Sequence, residues 1–169
     1  MPGKIMNSRF LVRGALLVAL ALVLQGIRVM LPLPPMASIF LIGSLVNMML
    51  VLTLWYGGMA TALLLALMLP VTAYFQGHLL LPLLIPVVWL GNTLFVLLAR
   101  CTEGWKQLAL PALAKAGAMY GAAYLVISFL QLGSGPMAKG VMFAMSVPQL
   151  VTGILGILLS RYLKQKLPF

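Results

Sequence analysis

Across 169 residues this chain carries one acidic side chain, Glu103, while 63% of its residues are apolar. A soluble domain keeps its surface wet with charge, and a chain this poor in carboxylates has none to spend there. The sequence therefore predicts an all-α integral membrane protein. The same scarcity removes paired-carboxylate catalysis, carboxylate metal cages and aspartate-assisted triads. An enzyme is not expected, since no Gly-x-Ser-x-Gly elbow, His-Glu-x-x-His or Walker sequence occurs.

At about 20 residues per span, the chain has room for roughly six helices and short connections. Apolar runs place them at approximately 10–30, 36–55, 59–75, 79–99, 108–130 and 141–159. They are expected to form one compact six-helix bundle without a separate soluble domain. Prolines end the first run at Pro32, Pro34 and Pro35, and Gly57-Gly58 marks a tight reversal after Trp55-Tyr56. Pro82 and Pro86 make the fourth segment irregular at its start.

The formal charge of +10 would suggest nucleic acid in a soluble protein. Here the basic residues flank apolar runs, where they orient helices against membrane lipid, and no nucleic-acid partner is expected. Lys4, Arg9, Arg13, Arg100, Lys106, Arg161, Lys164 and Lys166 fall at one set of ends, and only Arg28 and Lys139 at the other. Both termini are thus expected in the cytoplasm. Lys115, in the fifth run, is expected to snorkel toward the nearer interface. The single cysteine, Cys101, excludes an internal disulfide and a cysteine zinc cluster.

Polar groups within spans are costly unless they tie helices together or line a cavity. Asn47 and Asn92 can each donate and accept, either to a polar solute or to each other. Arg28 can clamp an anion at the outer mouth or reach lipid headgroups. His78 can touch a solute or, with Met137, Met142 and Met145 as soft co-ligands, a metal or haem, although a lone loop histidine is more often plain polar surface. Trp89 and Tyr124 can wall a cavity or face the interface. Ala15 with Ala19, and Gly117 with Gly121, are small pairs at helix-contact spacing. The first pair suits an external partner and the second internal packing.

A basic N-terminus leading into Arg13-Gly14-Ala15-Leu16-Leu17-Val18-Ala19-Leu20-Ala21, an outer proline loop and Gly43-Ser44-Leu45-Val46-Asn47 resemble the substrate-binding S components of energy-coupling-factor (ECF) transporters. Gly57-Gly58, the stretch from Pro70 to His78 and Pro86-Val87-Val88-Trp89-Leu90-Gly91-Asn92 are similar to that family's second to fourth segments. The resemblance implies capture of a vitamin or other micronutrient outside a prokaryotic plasma membrane. A separate transmembrane coupling subunit and ATPase subunits, which use ATP, would drive release inward. It implies no cofactor and no metal in this chain. Ala15 and Ala19 would meet the coupling subunit, and Arg28, His78, Trp89, Asn92, Tyr124 and Gln149 would lie near the solute. A different reading is a non-transporting structural subunit, such as a rod-shape-determining-like scaffold, whose interior would be packed and without a pocket.

Overall fold

In the computed structural model, residues 8–31, 34–133 and 135–166 are described. Lys4 and Pro32 lie outside them, as does the side chain of Arg9. The described residues form seven helices and no strand: α1 (Ser8–Met30), α2 (Pro35–Tyr56), α3 (Gly58–Phe75), α4 (Leu84–Cys101), α5 (Lys106–Phe129), α6 (Pro136–Ala144) and α7 (Val147–Lys166). Six stretches are long and apolar enough to cross a membrane, the sixth being α6 and α7 together over Pro136–Lys166.

The bundle is organised around α2. It touches α1, α3, α4 and α7, packs most extensively on α7, and is the most buried of the spans. Close approach is possible because Gly156 of α7 lacks a side chain: a Cβ there would sit 2.5 Å from Asn47 Cβ and 2.8 Å from Met48 N. Small residues let backbones meet and gain dispersion contacts that lipid does not otherwise displace. The reversal between α2 and α3 turns on Gly58, whose φ of +80° favours a residue without Cβ.

Two apolar clusters fill the interior. One joins Ala21, Met48 to Leu52, Leu54, Leu65, Leu69 and Phe95 with Ile157, and the other joins Leu84, Val87, Met119, Ala123 and Ile127 with Val141 and Met145. The second is built by the row Met119, Ala123 and Ile127, spaced four apart on one face of α5. That register turns Gly117 and Gly121 outward, where an added Cβ would meet nothing within 4 Å. The expectation that this glycine pair packs inside the bundle is thereby corrected.

The fourth and sixth spans differ most from the apolar runs, the sixth extending over Pro136–Lys166 instead of 141–159. The fourth span starts at Leu84, because Pro82 and its neighbours form turns instead of a continuing helix. The sixth span is interrupted at Met145-Ser146, where Pro148 cannot supply the N–H that Ala144 O would otherwise accept. The side chain of Gln149 replaces it, Nε2 donating to Ala144 O at 3.0 Å.

Candidate functional site

Between the two clusters lies a partly open pocket of about 210 Å³, at the end of the bundle remote from the two termini. It is reached by the C-terminal ends of α1 and α3, the N-terminal halves of α2 and α4, the middle of α5 and the α6–α7 break. Ligand sites more often span about 300–1,000 Å³. The volume here suits a small solute.

Four of the six residues singled out in the sequence, Arg28, His78, Asn92 and Gln149, line this pocket. Trp89 and Tyr124 do not join them. Trp89 is 44% and Tyr124 59% exposed, on outer faces of α4 and α5, because Gly91-Asn92 and Met119-Ala123 take the inward faces. Ala15 and Ala19 are exposed along α1.

The pocket contains residues that the sequence did not single out as a group. Lys115 is 3% exposed and does not reach an interface. It sits ten residues into α5, roughly 14 Å of helix from the start of that element. Its Nζ donates to Asn47 Oδ1 at 2.6 Å and lies 5.4 Å from the Phe95 ring centroid. The absence of a Cβ at Gly91 leaves room for the Lys115 and Met119 stems. Asn47 is fixed in turn by donating through Nδ2 to Thr152 Oγ1 at 3.2 Å. The chain Lys115–Asn47–Thr152 links α5, α2 and α7 across the pocket floor. Asn47 and Asn92 are not bonded to each other.

Asn92 plays the same part in α3 that Gln149 plays in the sixth span. Pro70 removes the N–H due to Ala66 O, and Asn92 Nδ2 approaches that carbonyl from α4 at 3.4 Å. A proline inside the continuous α3 and the break before Pro148 thus border the pocket, and a side-chain amide reaches the carbonyl that each proline leaves free. Non-helical backbone at membrane depth is tolerated where it lines a cavity. On the opposite wall, Gln25 ties α1 to α3 by donating to Leu69 O and Thr72 Oγ1, both at 3.1 Å, with Gln76 Oε1 also within reach at 3.2 Å.

Two pocket atoms lack partners: Ser38 Oγ and His78 Nε2, both buried. The His78 imidazole is held below its usual pKa, first by burial and then by the charge of Arg28. Met145 shares the pocket with His78, but among the described residues no cluster of three His, Cys, Asp or Glu side chains offers a metal site. Cys101 is exposed near the terminal end of the bundle.

Comparisons with protein-family models, curated proteins and solved structures return no match for this chain.

Proposed function

We propose that this chain is the solute-capture subunit of an ECF-type importer, binding a vitamin or other micronutrient from outside a prokaryotic plasma membrane. A separate transmembrane coupling subunit and ATP-hydrolysing subunits would drive delivery inward. In this reading the chain catalyses no reaction and needs no cofactor of its own. The observation that carries it is the polar-floored pocket within a six-span bundle, bordered by Pro70 inside α3 and by the break between α6 and α7. Interrupted helices whose freed backbone groups face a cavity are a recurring feature of transporter solute sites. A scaffold would instead use Asn92 only as a tie between helices, whereas here it also lines a cavity.

Lys and Arg crowd the end of the bundle carrying the termini, which supports a cytoplasmic position for them and an outward mouth for the pocket. Apart from Lys115 on the floor and Arg28 near an end, the described spans hold little charge in their interior. That limits the cost of tilting the bundle, since each ion at the bilayer centre adds about 2.5–3.5 kcal/mol on insertion scales. The exposed Ala15 and Ala19 leave α1 a smooth face on which a partner helix can slide.

The test is recovery of partners and solute on a tagged full-length chain extracted in mild detergent from its own cells. The wild type is expected to bring down a membrane coupling subunit with ATPases. Ala15→Trp with Ala19→Trp is expected to lose them while keeping its small-molecule cargo. Failure of the wild type to recruit any ATPase-bearing module would reject the importer reading.

A further inference from the structure

The pocket has basic groups and no acidic one. Arg28, His78 and Lys115 all line it, whereas Glu103, the one acid in the sequence, is exposed in the connection between α4 and α5. Lys115 has three N–H donors. Asn47 Oδ1 accepts from one, and the Phe95 ring face lies nearby, but no carboxylate among the described residues pairs with the ammonium. An ionisable residue held at membrane depth marks a solute or ion path, and its partner has to be sought.

Two other features of the same pocket leave hydrogen-bonding groups open to an anion. Ser38, 2% exposed, leaves its hydroxyl unpartnered on the wall. His78 Nε2 is likewise buried without a partner. Apolar walls, including Ile42, Val46 and Leu69, keep the local dielectric low and strengthen every charged contact. A cation would meet like charge from Lys115 and Arg28. A carboxylate or phosphate would supply the counter-charge that the Lys115 ammonium lacks among the described side chains.

We infer that the captured solute is a small organic acid whose carboxylate or phosphate oxygen docks on Lys115 at the pocket floor, with its apolar body against the surrounding walls. Arg28 at the α1 end supplies a second positive field nearer the mouth. Asn47 positions the ammonium by holding one of its protons. This inference rests on the solute-capture reading and specifies the chemistry of the same site.

The experiment uses the isolated full-length chain, purified in mild detergent from its own cells without a coupling module. Molecules released on denaturation are identified by mass spectrometry, and thermal unfolding is followed with benzoate, phenyl phosphate and benzamide as probes. The retained molecule is expected to bear a carboxylate or phosphate, and its identity distinguishes the two. Lys115→Met is expected to lower retention on the order of thirtyfold or more, as loss of a buried charged contact does. Lys115→Gln provides a second, hydrogen-bonding variant should Met disturb folding, and it is expected to lose retention as well.

If no molecule survives purification, either acid probe is expected to raise the unfolding midpoint while benzamide does not. A retained neutral or cationic molecule, or stabilisation by benzamide alone, overturns the inference and leaves solute capture standing. No retained molecule and no shift with either acid overturns both. An acid held by a chain that recruits no coupling module upholds the inference and removes the importer.

Discussion

His78 sits in the loop between α3 and α4, partly covered and close enough to Arg28 to feel its charge. Both influences favour the neutral imidazole, so the folded chain binds its proton less readily than the unfolded chain. Stability is therefore fully present above the ordinary value of about 6.5 and declines as pH falls from there toward the lowered folded value. Thermal unfolding across this window is expected to show the midpoint dropping on acidification, with His78→Gln flattening that decline. An unchanged slope in the variant would mean that another group titrates. Gly156 offers a second test at the same scale. A side chain there would collide with Asn47 and the α2 backbone, so Gly156→Val is expected to cost about 1–3 kcal/mol and to disturb the Lys115–Asn47 contact. Unfolding measurements that find the variant as stable as wild type would contradict the close α2–α7 packing.

Among the elements, the six apolar spans were legible because each is long and almost free of charge. Their inward faces were much less legible. A helix apolar all round has little contrast between its faces, so the fifth run alone did not say that Lys115 points inward with Met119, or that Tyr124 points out. The break in the sixth span left a mark in the sequence, Pro148, but its consequence depends on Gln149 reaching back to Ala144 O. Asn92 was legible as a polar residue in a span, yet its link to Pro70 depends on α3 lying beside α4. That link can be measured by a double-mutant cycle. Asn92→Leu is expected to cost about 1 kcal/mol in the wild-type background and close to nothing with Pro70→Ala, which restores the missing N–H. Equal costs in both backgrounds would show that Asn92 does not serve the carbonyl left by Pro70.

For the whole molecule, the distribution of Lys and Arg fixes an expected orientation that the fold makes testable. Cys101 is exposed at the end of α4 shared with the termini. A membrane-impermeant maleimide is expected to label it in inverted vesicles and not in intact cells; labelling in intact cells would reverse the proposed topology. The pocket belongs to the same scale, because all seven helices contribute to it and no single stretch contains it. Arg28, Asn47, His78, Asn92 and Gln149 were recognisable one by one as polar candidates. Lys115 and Ser38 become part of the site only once α5 and α2 are packed together. The most direct measurement is native mass spectrometry of the intact chain carrying whatever it has captured in its own membrane. One small acidic molecule per chain is the expected result, whereas a chain that never carries a bound solute, even when freshly extracted, would contradict solute capture.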